Sequence, residues 1–379
     1  MFFFNCNTNN SDCSSIWQLL SRLCGYDPFG TSAYNTYTLQ ALSWREGRTW
    51  LSQDYPHLEL AIFEGRYYVS FPPVPSLPLL LLSFFCGANT PDGLLVKLYA
   101  LGAFSGIYWW ASRKGRIAVA LFWASAFVFA SSLLPLMLIG AVWYQAQLLA
   151  FLCTVLAVLL AERKRPTPSL ILYALAVGCR PFNAVAGLAV AALLWHRRVP
   201  WKKWIPGVCA GLCIGLCYGL YNLARFGSFF EFGHNYLPEF TRSEHGQFSL
   251  AYFWDNAKLV FTGMPLENGQ FVQFGFNLFL ANPIFLLLAV WVVVDIVRRR
   301  IRPAQAAALI ALAVQLFLLM LHKSFGGFQF GLRYTADLIP CALAYFVLSG
   351  RHRRVRWGEA ALMAAALAFF AIGALCVHI

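Results

Sequence analysis

Residues 138–165 read LIGAVWYQAQLLAFLCTVLAVLLAERKR, an apolar run that stops at Glu162 and is followed by three cations. A helix crosses the hydrocarbon core of a bilayer with about 20 apolar residues. Lysine and arginine collect in the loops on the cytoplasmic side of a membrane. This stretch therefore predicts a membrane-spanning helix whose C-terminal end faces the cytoplasm.

The same kind of run recurs along the whole chain. Of its 379 residues, 59% are apolar and only 12% are charged. This composition excludes a soluble globular domain, in which charged residues make up about a quarter. Further apolar stretches lie at 94–111, 117–134, 204–222, 277–297, 304–321, 335–349 and 358–377. The pattern predicts an all-α polytopic transmembrane protein with about ten short and long spans.

Five short basic loops separate these stretches and hold eighteen of the 29 lysines and arginines. The positive-inside rule places all five loops in the cytoplasm. The net charge of +13 is therefore a signal for topology, and no nucleic-acid partner is expected. In chain order, the first to fifth basic loops are 113–116, 163–165, 197–203, 298–302 and 351–356.

This topology divides the chain into four regions. The first is an extracytoplasmic loop region with interfacial or re-entrant helices, because the apolar segment 77–88 is too short to span a bilayer. A transmembrane core, a second extracytoplasmic loop and a set of C-terminal transmembrane helices follow. The four regions are 1–93, 94–222, 223–276 and 277–379.

Arg180 lies in the middle of the segment between the second and third basic loops. Because both loops are cytoplasmic, the roughly thirty residues between them must cross the membrane an even number of times. Two short helices that meet at 178–183 satisfy this requirement, each with a rise of about 20 Å. Arg180 then lies below the outer surface, where a cation requires water or an anion beside it.

Three carboxylates occur close together in the first extracytoplasmic region, at Asp54, Glu59 and Glu64. Transfer of a group to a hydroxyl requires removal of its proton, which a carboxylate performs as a general base. The alternative is that these are solvated charges on an amphipathic helix lying on the bilayer. Arg66 and the adjacent tyrosines would then be interfacial anchors.

Cations also collect at the predicted outer face, several of them where a helix enters or leaves the membrane. Such a group without acidic neighbours in sequence suits a phosphate or pyrophosphate at the bilayer surface. Arg180 and Arg333 are the best candidates, and a salt bridge from them to Asp337 or Glu231 is the alternative. The complete set is Arg180, Arg225, His234, His322, Lys323 and Arg333.

Two aromatic residues, Trp143 and Tyr144, lie at the predicted outer end of residues 138–165. This position is typical of the aromatic belt at the membrane surface. A sugar stacked on these rings is the alternative. No Walker loop, dinucleotide fingerprint or nucleophile elbow is present, which excludes ATP-driven transport and the common hydrolases.

The order of these features resembles the GT-C superfamily of integral-membrane glycosyltransferases, which use sugars linked to polyprenyl phosphate. Each matching segment is short, but together they extend over most of the chain in the same order. They are Gly65-Arg66-Tyr67-Tyr68, Phe71-Pro72-Pro73-Val74-Pro75-Ser76, Gly178-Cys179-Arg180-Pro181, Arg225-Phe226-Gly227-Ser228 and Gly331-Leu332-Arg333-Tyr334.

The resemblance implies a lipid-linked donor sugar, an acceptor hydroxyl that enters from outside, and a first-loop carboxylate as the general base. The base would be Asp54, with Glu59 as second choice and Glu64 as third. Arg180 and Arg333 would hold the donor phosphate and stabilise the charge that develops on the leaving group. The further substrate-binding candidates are Tyr334, Arg66, Tyr67, Lys323, Arg225 and His234.

The N-terminal part departs from this family pattern. Many such enzymes have an acidic residue just after a first transmembrane helix, whereas the comparable stretch here, 31–35, reads TSAYN. Residues 1–25 contain neither that helix nor a signal peptide that would export the residues after them. Two explanations stay open: an upstream helix outside this chain, or an N-terminal region inside the cell.

The sequence thus predicts a membrane glycosyltransferase that transfers a hexose or pentose to a glycan, lipid or protein acceptor in the cell envelope. Its site would face outward from the cytoplasmic membrane. The sequence assigns no cofactor, and a divalent cation stays open. The alternatives are a transporter or flippase for a lipid-linked anion and a non-catalytic membrane partner. Paired broken helices in two corresponding halves would favour transport, but the break at 178–183 has no counterpart in the sequence.

Overall fold

The computed structural model describes residues 27, 30–113 and 115–378. The expectation about a signal or span in residues 1–25 lies outside the described part of the chain. In chain order the α-helices are α1 Thr36–Arg45, α2 Ser76–Cys86, α3 Asp92–Ser112, α4 Ile117–Val128, α5 Leu133–Leu136, α6 Val142–Glu162, α7 Pro166–Val177, α8 Gly187–His196, α9 Ile205–Phe226, α10 Pro238–Thr241, α11 Phe253–Thr262, α12 Leu278–Ala281, α13 Ile284–Val297, α14 Pro303–Met320, α15 Ile339–Ser349 and α16 Trp357–His378.

Short 3-10 helices and two small β-hairpins complete the fold. The longer 3-10 segments are Pro181–Ala186 and Arg333–Leu338, and the strands are β1 Leu60–Phe63, β2 Arg66–Val69, β3 Leu266–Glu267 and β4 Gln270–Phe271. Apart from these hairpins the regular secondary structure of the described chain is helical, which confirms the all-α prediction in its main lines.

The apolar helices agree with the predicted spans. Within the described residues, α3, α6, α9, α14 and α16 are long and apolar enough to cross a membrane. Five shorter apolar segments accompany them, among them α2, α4 and α13. Together they match the prediction of about ten short and long spans in a polytopic membrane protein.

Helix α6, the run that opened the sequence analysis, lies at the centre of the bundle. Of its most apolar window, 83% is buried inside the protein, against 17% for the corresponding window that includes α9. α6 packs against α3, α7, α8 and α15. Because other helices cover the sides of α6, this helix holds the loops at its two ends in fixed positions.

The first three basic loops meet at the C-terminal end of α6. The guanidinium groups of Arg113 and Arg163 both lie over the Trp109 ring, with Cζ 4.3 and 3.6 Å from its centroid. Glu162, the last residue of α6, forms an ion pair with Arg197 of the third loop.

The fourth and fifth basic loops join the same end of the bundle. Asp295, near the end of α13, forms an ion pair with Arg351 at 2.8 Å. Gly115 in the first loop lies beside the backbone of the fifth loop, at His352 and Arg353. All five loops therefore gather at one end, as the positive-inside rule requires.

Residues 60–69 form an antiparallel hairpin instead of the amphipathic helix that was the alternative interpretation. β1 pairs with β2 in the register Leu60↔Val69 to Phe63↔Arg66. The two-residue turn has positive φ at both Glu64 (48°) and Gly65 (72°), the geometry that matches the right-handed twist of the strands. The helix alternative is wrong because this Glu-Gly turn joins two strand-forming segments.

The predicted pair of short helices around Arg180 is confirmed. α7 ends at Val177, and the chain continues through the 3-10 segment into α8. The predicted re-entrant or interfacial helix over 77–88 is present as α2, which packs on α1 and exposes Phe84 and Phe85.

Three breaks in the apolar helices meet in a buried hydrogen-bonded hub. Ser132 Oγ donates to Asn282 Oδ1 at 2.8 Å, and Asn282 Nδ2 donates to Thr335 Oγ1 at 2.7 Å. All three residues are 0% exposed. They lie after α4, after α12 and within the 3-10 segment, respectively. The hub therefore fixes the backbone next to Arg333.

Replacing Asn282 with alanine tests the importance of this hub. The change leaves the hydroxyls of Ser132 and Thr335 each without one buried partner, at an expected cost of about 1–3 kcal/mol. Denaturant unfolding in detergent measures this loss. The exposed Asn89 provides the control, since Asn89→Ala is expected to change stability by less than about 0.5 kcal/mol. Equal stability of the two variants would contradict the role of the hub.

Candidate functional site

The candidate site lies at the end of the bundle opposite the basic loops. The 21 residues of α6 separate Val142 at this end from Glu162 at the other, a rise of about 31 Å. The first turn of α6, the α7–α8 connection and the loop after α14 meet here. The segment that enters β1 covers them.

Arg180 forms a buried ion pair with Asp337. Its Nε atom lies 2.7 Å from Asp337 Oδ2, and the Asp337 side chain is only 1% exposed. The second carboxylate oxygen of Asp337 accepts a hydrogen bond from Gln147 Nε2 at 3.1 Å. The salt bridge considered as an alternative in the sequence analysis is therefore present. It connects the α7–α8 break to α6 and to the 3-10 segment before α15.

Arg333 is held differently from Arg180. It is only 4% exposed, yet its Nε and Nη1 atoms have no hydrogen-bond partner in the described structure. Gly326, at φ +105°, lies against the guanidinium group so closely that a Cβ there would clash with it. Because an unpaired buried N–H is costly, this guanidinium is suited to an anion from outside the chain.

Tyr334 lies between the two arginines. Its ring centroid is 4.6 Å from the Cζ atom of Arg180 and 4.8 Å from that of Arg333. The electron-rich ring face attracts both guanidinium groups. Tyr334 therefore lies close to two cations, and within the described part of the chain Arg180 is the one that forms an ion pair with a carboxylate.

Glu59 is the first-loop carboxylate that faces these cations. Its Oε2 atom accepts a hydrogen bond from Trp143 Nε1 at 2.9 Å, and it interacts electrostatically with Arg333 and Glu239. Surrounding protein raises the pKa of Glu59, an effect that the Trp143 bond and Arg333 partly offset. The side chain is nevertheless solvent-accessible.

Two histidines complete the surroundings of Arg180. His322 contacts the Tyr334 ring at a centroid distance of 5.7 Å, and His234 contacts Phe71 at 5.4 Å. Burial, together with the nearby Arg180, lowers the pKa of both imidazoles to about 4. Both are therefore neutral near pH 7. The sequence analysis counted them as cations, and the structure corrects this because desolvation opposes a third and fourth positive charge.

The other carboxylate candidates lie outside this group. Asp54 is exposed and makes no hydrogen bond or ion pair with a described residue. Glu64 is exposed at the tip of the β1–β2 turn. The geometry therefore favours Glu59, the second choice in the sequence analysis, over both of them.

Four of the predicted substrate-binding residues make contacts within the chain, and substrate binding by them stays a prediction. Arg225 is buried and donates to Val69 O and Asn222 Oδ1, which ties α9 to β2. Arg66 lies over the Trp50 ring, and the backbone of Tyr67 pairs with Leu51. Lys323 donates to the backbone carbonyl of Glu239 and so closes the loop over the site.

Two residues at the start of α6 are more important than the sequence indicated. Trp143, interpreted as part of an aromatic belt, holds Glu59, and Gln147 bridges Asp337 and the backbone carbonyl of Arg333. A glutamine one turn inside an otherwise apolar helix was the available signal. Among the described residues, no group of three or more His, Cys, Asp or Glu is arranged to hold a metal ion.

The segment 31–35, which lacks the acidic residue of the family pattern, also reaches this place. Tyr34 contacts Trp143 at a ring-centroid distance of 5.1 Å, and Ala33 O lies 3.2 Å from His57 Nε2. The segment therefore passes beside the tryptophan that holds Glu59.

Comparison with solved structures identifies the fold. ArnT from Cupriavidus metallidurans bound to undecaprenyl phosphate superimposes with a TM-score of 0.54 at 15% identity, over 93% of this chain and 62% of that one. The apo state of ArnT gives 0.53 at 18% identity, over 91% and 59%. ArnT is a GT-C glycosyltransferase, so the chain has a GT-C fold. It spans about three fifths of the length of ArnT. No protein-family model and no curated protein matches the sequence.

The Arg180–Asp337 ion pair is expected to stabilise the whole fold as well as the candidate site. Arg180→Gln leaves the Asp337 carboxylate buried without its cation and is expected to cost about 3–5 kcal/mol. The double variant Arg180→Gln/Asp337→Asn should recover part of this loss, because no uncompensated charge remains. Denaturant unfolding in detergent measures both values.

The exposed Arg48–Glu46 pair supplies the matched control. Arg48→Gln is expected to cost at most about 1 kcal/mol. A single variant Arg180→Gln that is as stable as Arg48→Gln would show that the buried pair does not hold the site together.

Proposed function

We propose that this chain is a membrane glycosyltransferase that transfers a hexose or pentose from a polyprenyl-phosphate donor to an acceptor hydroxyl. The observation that carries the proposal is the arrangement of Glu59 and Arg333. Glu59, whose pKa is raised by burial, interacts electrostatically with the buried guanidinium of Arg333, and two nitrogen atoms of that guanidinium have no partner in the described structure. A proton acceptor beside an anion site is what glycosyl transfer from a phosphate requires.

Arg333 is the proposed ligand of the donor phosphate. Its unpartnered N–H groups are suited to phosphate oxygens, and charge-assisted bonds of this kind are stronger than neutral ones. Arg180, whose guanidinium also lies over the Tyr334 ring, adds positive potential, although its own Nε donates to Asp337. The ArnT structure with undecaprenyl phosphate supports a polyprenyl phosphate as the carrier.

Glu59 is the proposed general base. The acceptor hydroxyl gives its proton to the Glu59 carboxylate as its oxygen forms a bond to the anomeric carbon of the sugar. The bond between that carbon and the phosphate oxygen breaks, and its electron pair stays on the departing polyprenyl phosphate. Arg333 stabilises the added negative charge. The products are the glycosylated acceptor, the lipid phosphate and a protonated Glu59.

The site is proposed to face outward from the cytoplasmic membrane. It lies at the end of α6 opposite to the end at which the basic loops gather. Those loops belong on the cytoplasmic side by the positive-inside rule. The acceptor, a glycan, lipid or protein of the cell envelope, would then approach from outside, while the donor lipid arrives laterally from the bilayer.

Transfer of a labelled sugar from a polyprenyl-phosphate donor in proteoliposomes tests the proposal. Glu59→Gln removes the base and is expected to lower kcat by about 10²–10⁴-fold, and Arg333→Gln should lower kcat/KM at least about a hundredfold. Glu64→Gln, the same change at the exposed turn, is the matched control and should leave turnover within about twofold. Unchanged turnover in Glu59→Gln would reject the assignment of the base.

The same vesicles separate this proposal from its rival. If wild-type protein moves intact donor across the bilayer without forming a new glycosidic bond, the transporter interpretation replaces the transferase.

The pH dependence of transfer tests the bond between Trp143 and Glu59. The base acts when deprotonated, so activity rises with pH through the pKa of Glu59. Donation from Trp143 favours the carboxylate and lowers this pKa. Trp143→Phe removes the donor, and the acidic limb of the profile should move to higher pH. An unmoved limb, or a shift to lower pH, would contradict the assignment.

A further inference from the structure

A cavity lies at the end of the bundle opposite the candidate site, among the fourth and fifth basic loops. It has a volume of about 920 Å³ and is enclosed by the ends of α13 and α15 and the starts of α14 and α16. The described residues of the first three basic loops contribute nothing to its lining. Six arginines line it: Arg298, Arg299, Arg300, Arg302, Arg351 and Arg356.

Both carboxylates in the lining already have partners. Asp295 binds the guanidinium of Arg351 through two contacts of 2.8 Å and accepts from Tyr345. Glu359 accepts hydrogen bonds from Trp291 Nε1 at 3.2 Å and from the backbone N–H of Arg356 at 2.9 Å. In the described structure, neither carboxylate therefore forms an ion pair with the other five arginines of the cavity.

Four of the other arginines make no side-chain hydrogen bond or ion pair within the described structure; they are Arg298, Arg299, Arg300 and Arg356. Two helices begin and two helices end around the cavity, so the helix dipoles largely offset one another. The attraction for an anion therefore comes from the guanidinium groups. A topology signal requires positive loops, but it does not require arginines of two loops around one concavity.

The cavity continues into an apolar surface. Val290 and Val294 of α13 line its wall, and Val290 is 53% exposed. On the same helix Val293, Ile296 and Val297 are also exposed, as expected for a face covered by hydrocarbon. A ligand that fits has multiple anionic groups at one end and acyl chains at the other. A soluble phosphate would leave the apolar wall uncovered.

We propose that this cavity binds the headgroup of an anionic phospholipid with two phosphates, of the diphosphatidylglycerol class. Six arginines against two carboxylates leave about four positive charges, which favours two phosphates over one. The arginines donate to the phosphate oxygens, and the acyl chains lie along α13. This site is independent of the transferase proposal, since it lies at the other end of α6.

Native mass spectrometry of the full chain in detergent tests this inference. Diphosphatidylglycerol should bind the wild type at least about tenfold more tightly than phosphatidylglycerol, and phosphatidylethanolamine least. The double variant Arg298→Gln/Arg356→Gln should lose about tenfold in affinity for diphosphatidylglycerol. Lys202→Gln/Lys203→Gln removes the same charge from the third basic loop, outside the cavity, and should change the affinity less than about twofold.

Three results would overturn the proposal. If the lysine control loses as much affinity for diphosphatidylglycerol as the arginine variant does, the lipid is attracted to the basic surface without a specific site. If inorganic pyrophosphate stabilises the protein against heat as much as diphosphatidylglycerol does, the cavity binds a free anion. Equal binding of the three lipids by the wild type would show no headgroup recognition, and this comparison requires no variant to fold.

Discussion

The buried ion pair between Arg180 and Asp337 is the interaction on which the site depends. It joins residues that are 157 positions apart, one at the break between two short helices and the other in the 3-10 segment before α15. A buried carboxylate with a cation and a glutamine around it is stable only when all partners are in place. When these partners are in place, Tyr334 and Arg333 lie beside the end of α6. Arg333, whose Nε and Nη1 have no partner in the described structure, is thus positioned next to Arg180, whose charge is neutralised by Asp337.

Charge is separated along the bundle in two different ways. At one end the five basic loops gather, and their arginines are mostly exposed. At the other end a few buried arginines lie among aromatic rings and neutral histidines, where a buried charge without a partner is costly. The first arrangement carries the topology signal, and the second is the arrangement from which we propose an anion site. The same residue type therefore lies in a different environment at each end because its burial differs.

Local patterns predicted the fold well, because span length, basic loops and the break around Arg180 depend on residues near one another in sequence. The site was harder to predict. Glu59 and Asp54 are equivalent by residue type, and only the contact with Trp143 distinguishes them. Gln147 and the hub at Asn282 act through partners far along the chain. The β1–β2 hairpin depends on a Glu-Gly turn that a search for membrane helices does not consider.

A cryo-EM structure of the chain in lipid nanodiscs with a polyprenyl phosphate sugar tests the central claim most directly. The account predicts that the donor phosphate contacts the Arg333 guanidinium, with the anomeric carbon on the side of Glu59. A donor phosphate bound away from Arg333, or among the basic loops at the other end of α6, would contradict it.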